Sequence, residues 1–185
     1  SGQYGWGTAI YLTLYMTVIS FIIGGFLGLV TGLLLVLTRP GGVIENRIVF
    51  QILDKITSLF RAIPFIILLA FINPLTYLLL KNTIGPTAAL VPLSLAVFPF
   101  FARQVQVVLS ELDGGVIEAA QASGATFWDI VGVYLREGLP DLIRVTTVTI
   151  ISLIGETAMA GAVGAGGLGT LAINYGKNMF NNDVI

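Results

Sequence analysis

Long apolar segments separated by short polar ones dominate the hydropathy pattern of this chain. Residues 1–38 carry no charge, and further charge-free stretches run over 62–80, 82–102 and 145–155. A helix needs about 20 apolar residues to cross the roughly 30 Å hydrocarbon core of a bilayer. The pattern therefore predicts an integral membrane protein built from transmembrane helices.

The polar interruptions divide the apolar sequence into separate helices. Residues 43–61 mix charged and apolar positions in a helical pattern, which predicts an interfacial or cytosolic helix leading into the next span. The expected fold class is all-α, a polytopic membrane helix bundle that forms a single domain over residues 1–185. About four spans are predicted, over residues 11–38, 62–80, 87–109 and 141–163.

Small residues mark the first span, where Gly24, Gly28 and Gly32 recur every four residues and Gly25 follows the first of them. This spacing is typical of helices that pack closely against each other in lipid. Membrane helices tolerate proline where neighbours or water satisfy the freed carbonyls. The second and third spans are therefore predicted as helices despite Pro64, Pro74, Pro92 and Pro99.

Composition narrows the range of possible functions. The chain is 56% hydrophobic and only 10% charged, and it has no cysteine and no histidine. Disulfides, thiol or histidine zinc sites and Cys–His nucleophile pairs are therefore excluded. A formal net charge of −1 argues against a nucleic-acid partner.

The distribution of basic residues predicts the orientation of the spans, because cytosolic loops carry an excess of Lys and Arg. With the N-terminus outside, only Lys81 and Lys177 lie on the outer side. Arg61 then enters the membrane from the cytosol, where it either snorkels to the interface or pairs with a neighbouring helix. The remaining basic residues on or near the cytosolic side are Arg39, Arg47, Lys55, Arg103, Arg136 and Arg144.

A glycine-rich stretch follows the fourth span, and Gly164, Gly166 and Gly169 within it spell G-x-G-x-x-G. That fingerprint indicates a dinucleotide site only between a strand and a helix, whereas here it follows a membrane span. The stretch instead predicts a break where a membrane helix ends or bends. The chain also lacks the G-x-x-x-x-G-K-[ST] loop that binds ATP.

The loop over residues 111–140 is the longest polar interruption in the second half of the chain. Residues 116–123 predict a short helix rich in alanine, and Gly124 is a suitable C-terminal stop. Thr126 and Asp129 have the spacing of a capping box for a second helix. A compact helix with small side chains is suited to docking on a partner protein, and the alternative is an ordinary surface loop.

The pattern Glu118-Ala119-Ala120-x3-Gly124 resembles the EAA loop of ABC import permeases. The family pattern continues with I-x-L-P nine residues after the glycine, whereas here a Leu-Pro pair occurs only at residues 139–140. Similarity to methionine ABC importer permeases extends to apolar stretches along nearly the whole chain. These stretches are LTLYMTVIS, FRAIPFIILL, VIEAAQASGAT and AMAGAVGAGGLG.

The resemblance implies a permease that performs no covalent chemistry and binds no cofactor itself. Its implied partners are a second permease, two ATP-binding subunits that hold ATP and Mg²⁺, an extracytoplasmic substrate-binding lipoprotein and membrane lipid. The implied location is the bacterial cytoplasmic membrane, and a fifth span is expected beyond Ile185. The residues expected to couple transport to the ATPase are Glu118, Ala119, Ala120 and Gly124.

The fourth predicted span carries Glu156 and, three residues later, Met159, so the two share a helix face. An intramembrane charge usually faces a bundle interior or water, although Glu156 near the outer interface would simply be hydrated. In the resembling family a side chain matching Met159 narrows the closed pathway. We therefore expect Met159, Glu156 and Ala158 to form part of a translocation pathway or gate.

Other functions remain open from the sequence. The substrate is methionine by resemblance, and the alternatives are another amino acid or a small polar metabolite. An ion-coupled carrier or channel would instead use Glu156 for ions, and a purely structural membrane subunit is a third reading. Dependence of transport on ATP and on a partner subunit distinguishes the first class from the others.

Overall fold

The computed structural model describes residues 5–178 and 180, which fold as helices without a β-strand in that part of the chain. Three of the helices, Trp6–Thr38, Pro86–Ser110 and Leu139–Ala162, are long and apolar enough to cross a membrane. The predicted all-α membrane bundle is confirmed. The helices are α1 (Trp6–Thr38), α2 (Arg47–Ala62), α3 (Phe65–Phe71), α4 (Asn73–Leu80), α5 (Pro86–Ser110), α6 (Gly114–Ala122), α7 (Phe127–Glu137), α8 (Leu139–Ala162) and α9 (Gly167–Leu171).

Helix α1 begins at Trp6, five residues before the predicted span, and runs for 33 residues. At 1.5 Å per residue its length is about 50 Å, so it either tilts in the bilayer or protrudes from it. A π-helical turn over Phe21–Gly25 interrupts its regular hydrogen bonding. The first predicted span is therefore a single long helix with one local irregularity.

The glycines of α1 bring its backbone against α5, as their spacing predicted. A Cβ atom added to Gly28 would lie 2.8 Å from the Phe98 carbonyl oxygen, and one on Gly32 would lie 2.6 Å from the Ala102 carbonyl oxygen. Gly24 meets α5 one turn earlier, at Ser94. Because contacts advance in the same direction on both helices, α1 and α5 run parallel.

The prediction of one continuous helix over residues 62–80 is wrong. Helix α2 ends at Ala62, and Ile63 and Pro64 are extended, with ψ angles of 119° and 140°. Proline disfavours the helical conformation of the residue before it, which explains the break at Ile63. A second break at Ile72 separates α3 from α4, whose first turn contains Pro74.

The broken segment still returns the chain to the outer end of the bundle. Arg61, in the last turn of α2, is exposed and lies 5.9 Å from the Phe100 ring of α5. Ile84, just after α4, lies beside Gly164, which follows α8. The second crossing is therefore discontinuous. Pro92 and Pro99, by contrast, both lie inside the continuous helix α5.

Two apolar cores hold the bundle together. The outer core includes Met16, Leu93 and Leu153, which are contributed by α1, α5 and α8. The inner core joins the opposite ends of the same three helices to the loop helices α6 and α7. The buried members of the inner core are Val36, Leu37, Phe101, Val105, Val108, Leu109, Ile117, Ile130, Tyr134, Leu142 and Val145.

The chain reverses direction after α8, where the sequence predicted that a membrane helix ends or bends, and a further helix, α9, begins at Gly167. The helical path continues as a π-helical segment over Ala172–Lys177. At the start of α9 the Leu168 amide donates to the Thr13 hydroxyl of α1 at 2.9 Å. The fifth span expected beyond Ile185 lies outside the described residues.

Candidate coupling and translocation sites

Helix α6 occupies the position of the predicted coupling helix, and both of its ends are defined by local hydrogen bonds. The Asp113 side chain accepts from the Gly115 amide at 2.9 Å at the N-terminus. At the C-terminus Gly124 adopts a positive φ of 81°, and the Ala125 amide donates to the Ala120 carbonyl at 3.1 Å. This glycine-terminated end is the stop that the sequence predicted.

Helix α7 starts with the predicted capping box. The Asp129 amide donates to the Thr126 hydroxyl at 3.3 Å, and the Thr126 amide donates to the Asp129 carboxylate at 2.9 Å. These hydrogen bonds, chiefly the one from the Thr126 backbone, lower the pKa of the exposed Asp129 carboxyl. The reciprocal bonds define the start of α7 directly after the turn at Gly124.

The two loop helices rest on the ends of the spans through one face and leave the other face open. Ile117 of α6 and Ile130 of α7 are buried in the inner core. Glu118 and Ala119 are exposed on the opposite face of α6, while Ala120 is half-buried against the core. The expected coupling residues are thus divided between the exposed face of α6 and the positions that support it.

Trp128 is the most exposed aromatic side chain in this loop, at 76%. Its ring meets the ring of Phe127 edge-on, with 5.2 Å between the ring centroids. Trp128 is not among the site residues predicted from the sequence. The sequence does contain a signal for an exposed aromatic residue here. Trp128 lies at the capping box, on the face of α7 opposite its apolar positions.

The residues expected at the gate lie in the C-terminal half of α8. Met159 is 49% exposed and points away from the core of its own chain. Glu156 is half-buried, and its Oε2 atom is buried without a hydrogen-bond partner among the described residues. Ala158 has an exposed side chain, but its backbone packs against Gly169 of α9. A Cβ atom on Gly169 would lie 2.5 Å from the Ala158 carbonyl oxygen.

The glycine stretch that resembled a dinucleotide fingerprint forms the tight reversal between α8 and α9. Gly164, Gly166 and Gly167 all have positive φ angles, between 81° and 93°, a conformation that glycine adopts without strain. Thr170 of α9 donates to the Gly161 carbonyl at 2.8 Å and closes the hairpin. The predicted break where a membrane helix ends is confirmed.

A cavity of about 510 Å³ lies beside this reversal. Its polar side chains are Asn73 and Thr76 of α4 and Thr83 of the following turn, and Ala160 of α8 forms part of its wall. Pockets of this size accommodate small molecules. Among the described residues, no group of three or more His, Cys, Asp or Glu side chains is placed to hold a metal ion.

Comparison with known families assigns this helix bundle and its loop helices to a transport family. Residues 24–184 match the family described as the binding-protein-dependent transport system inner membrane component. The chain belongs to this family. It is therefore a multi-pass inner-membrane transport component, a permease and not an enzyme.

Relatives in this family are similar over most of their length. The chain is 49% identical over 167 residues to the probable D-methionine transport system permease protein MetI of Pasteurella multocida, covering 90% of this chain and 77% of the relative. It is 45% identical over 153 residues to the D-methionine transport system permease protein MetI of Escherichia coli K12, covering 82% and 70%.

Solved structures of the family share the fold. A chain of the inward-facing MetNI methionine ABC transporter, in its CY5 native crystal form, matches with a TM-score of 0.94 at 44% identity. The match covers 97% of this chain and 83% of that chain. An amino acid ABC transporter crystallised with histidines matches with a TM-score of 0.74 at 17% identity, which is a likeness of fold alone.

Proposed function

We propose that this chain is the permease subunit of an ABC importer that carries methionine, as the D or L form, across the membrane. The observation that carries the proposal is α6, a short helix that packs on the inner core between two spans. The chain that contains this helix is 49% identical to a probable D-methionine permease. ATP and Mg²⁺ are bound by a partner subunit, since the chain itself has no phosphate-binding loop.

The loop over residues 111–140 is proposed as the contact with the ATPase. Glu118 and Ala119 lie on the exposed face of α6, so they enter a cleft of the ATP-binding subunit. Ala120 and Gly124 support that face from behind and at its end. The exposed Trp128 extends the same surface by one aromatic side chain, a residue type enriched at binding hot spots.

The translocation pathway is proposed to run between two copies of this permease. Met159 is half-exposed on a face of α8 that its own chain does not cover. In a homodimer the two Met159 side chains approach each other near the axis and narrow the closed pathway, because a flexible thioether fills an irregular gap and moves aside. Glu156 and Ala158 lie within one turn of this constriction.

Alternating access follows from the difference in stability between two packings of the same helices. ATP binding closes the two ATPase subunits, and α6 moves with them. The spans then exchange between inward-facing and outward-facing arrangements. A ligand shifts the equilibrium between these two states only if it binds one of them better than the other. The permease supplies the two packings and the pathway, and the ATPase supplies the energy.

The N-terminus is proposed to lie outside the bacterial cytoplasmic membrane, with α6 in the cytosol. Seven of the nine basic residues then lie on or near the cytosolic side. A substrate-binding lipoprotein delivers methionine to the outer end of the bundle. The reversal at Gly164 and the cavity beside it lie at that end.

A second class of function is favoured by one specific observation, the buried and unpartnered Oε2 atom of Glu156. An intramembrane carboxylate of this kind serves ion pathways in carriers and channels. Such a protein would move its substrate on an ion gradient without a partner ATPase. Within the ABC class, another amino acid or small polar metabolite is the alternative substrate.

Reconstitution in liposomes tests these alternatives. The permease is incorporated with and without its copurifying ATPase, and uptake of L-methionine, D-methionine and a panel of other amino acids is measured with binding protein present. We expect methionine uptake only with ATP and the ATPase. Uptake driven by an ion gradient alone would overturn the proposal, and ATP-dependent uptake of a different amino acid would overturn only the substrate.

A further inference from the structure

Arg103 of α5 makes a compact set of polar contacts with α2. One guanidinium nitrogen, Nη1, lies 2.7 Å from the Asp54 Oδ1 atom and 2.6 Å from the Gln106 Oε1 atom. The other, Nη2, donates to the Ser58 hydroxyl at 2.7 Å and to the Asp54 carbonyl oxygen at 3.2 Å. Arg103 therefore holds α2 through both a side chain and the backbone.

The Arg103 guanidinium of this cluster is largely buried, whereas Ser58 on α2 is exposed. Arg103 is seven residues before the end of α5 at Ser110, which corresponds to about 10 Å along the helix. Its side chain is only 18% exposed, and that of Asp54 is 39% exposed. A charge in a membrane span is unfavourable unless it is paired, so the guanidinium is strongly held to its partners on α2.

The other ion pair in the described part of the chain is of a different kind. Arg144 and Asp141 are three residues apart on α8, at 3.5 Å, with side chains 64% and 57% exposed. An exposed ion pair within one helix contributes little to stability. It also does not connect that helix to another one. The Arg103–Asp54 pair instead joins helices whose residues are 49 positions apart in the chain.

The cluster lies between the proposed coupling helix and the outer cavity. Helix α5 ends at Ser110 and leads through three residues into α6. Helix α2 leads through the extended Ile63 and Pro64 into α3 and α4, which line the cavity of about 510 Å³. Arg103 therefore gives a displacement of α6 that moves α5 a polar route to α2, and through α2 to α3 and α4, in addition to the apolar packing of Phe65 and Leu68 against α5.

We propose that Arg103 is a positioning residue for transport, which makes α2 follow α5 when the coupling helix moves. The planar guanidinium fork resists sliding better than apolar contacts do, because it binds two atoms of Asp54 and the Ser58 hydroxyl at once. Lysine keeps the charge but cannot reproduce this fork. The inference rests on the proposed function, since it describes how ATPase motion reaches the pathway.

The test compares Arg103→Lys and Asp54→Asn with the wild type in proteoliposomes containing the ATPase and the binding protein. Both methionine uptake and ATP hydrolysis are measured. We expect the uptake per ATP hydrolysed to fall about tenfold in each variant, the size of effect that contacting pairs produce. ATP hydrolysis and assembly with the ATPase should stay close to wild type. Arg144→Lys, at the exposed pair on α8, is the matched control and should leave both rates unchanged.

The double variant Arg103→Lys/Asp54→Asn separates positioning from simple loss of stability. If the two residues act as one clamp, the double variant should be no worse than either single variant, because the second change removes nothing further. If the losses of uptake per ATP are additive and are accompanied by equal losses of thermal stability, the pair only stabilises the fold, and the inference is overturned. If Arg103→Lys fails to assemble, Asp54→Asn and Ser58→Ala keep Arg103 and supply the same comparison.

The outcomes distinguish this inference from the proposed function. If the wild type takes up methionine without ATP, the proposed ABC mechanism fails before any variant is considered. If wild-type uptake depends on ATP and every Arg103, Asp54 and Ser58 variant keeps the wild-type uptake per ATP, only the clamp is overturned.

Discussion

At the scale of single residues, this bundle satisfies most of its buried hydroxyl groups within the helices that carry them. Thr17, Thr57 and Thr149 are buried, and each donates to the carbonyl oxygen four residues earlier in its helix. Ser20 and Ser94 are also buried, yet their hydroxyl groups have no partner among the described residues. Local back-bonding lets polar side chains lie at membrane depth without partners from other helices.

The capping box of α7 predicts a local pH dependence. The lowered pKa of Asp129 means that its charged form is favoured in the folded loop. The contribution of the Asp129 carboxylate to the stability of the loop is therefore fully present above the ordinary carboxyl range, about pH 4. It is lost as the pH falls through the lowered pKa of the folded state. We expect α7 to fray at its start in that acid range.

Fluorescence of Trp128 measures this fraying. In a Trp6→Phe background Trp128 is the single tryptophan of the chain, and its emission should titrate as the cap is lost. Asp129→Asn carries no titrating charge and should give a flat profile below pH 4. A titration that persists in Asp129→Asn would assign the effect to another group.

The packing of Ala120 predicts uncoupling by a larger side chain. Because Ala120 is half-buried against the inner core, Ala120→Leu should displace α6 at a cost of about 1–3 kcal/mol. We expect methionine uptake to fall about tenfold or more while membrane insertion is unchanged. Ala120→Ser adds little volume and is the control. Equal uptake by Ala120→Leu and the wild type would mean that α6 is not the coupling helix.

At the scale of elements, close backbone approach determines how α1 and α5 pair. Three glycines of α1 let the carbonyls of α5 approach to distances at which no Cβ atom fits. Packing and small residues replace the hydrophobic effect as the source of helix association in lipid. The π-helical turn over Phe21–Gly25 lies within the same contact, and such turns are frequent at functional sites.

Two alanine substitutions on α1 test this packing. Gly28→Ala places a methyl group 2.8 Å from the Phe98 carbonyl oxygen, whereas Gly7→Ala meets nothing within 4 Å. We expect Gly28→Ala to destabilise the purified permease by about 1–3 kcal/mol. Gly7→Ala should be neutral or slightly stabilising because alanine favours helix. Thermal unfolding in detergent measures both, and equal effects would show that the contact is not tight.

At the scale of the whole molecule, the outer and inner cores divide the bundle into two regions. The inner core links the loop helices to the ends of the spans next to them. The outer core holds the opposite ends, next to the reversal between α8 and α9. In the proposed mechanism, the inner core responds to the ATPase and the outer core borders the translocation pathway.

Cross-linking tests the proposed dimer axis. The chain has no cysteine, so Met159→Cys introduces a single reactive thiol. We expect a short thiol cross-linker to join two Met159→Cys protomers in the membrane. Ile154→Cys, which is also exposed but lies on another face of α8, should not be cross-linked. The reverse pattern would place a different face of α8 at the axis.

Cysteine labelling also tests the orientation. Asn82, in the turn after α4, is proposed to lie outside, and Gln121 of α6 in the cytosol; both are exposed. A membrane-impermeant maleimide added to spheroplasts should label Asn82→Cys and spare Gln121→Cys until the membrane is opened. Labelling of Gln121→Cys alone would invert the topology.

Features that depend on neighbouring residues could be predicted from the sequence alone. The long apolar runs predicted the spans of α1, α5 and α8, because a helix of about 20 apolar residues matches the thickness of the bilayer core. The ends of α6 and α7 followed from Gly124 and from the spacing of Thr126 and Asp129. In each case the hydrogen-bond partner lies within five residues along the chain, so this local conformation forms without a tertiary contact.

Only the tertiary structure decided what depends on distant parts of the chain. Pro64 ends a helix whereas Pro99 lies inside one, because packing determines whether a freed carbonyl finds a partner. The pairing of Arg103 with Asp54 and the capping of Leu168 by Thr13 join residues 49 and 155 positions apart. Sequence periodicity tells which face of a helix is apolar, but only the packed bundle brings a particular partner to that face.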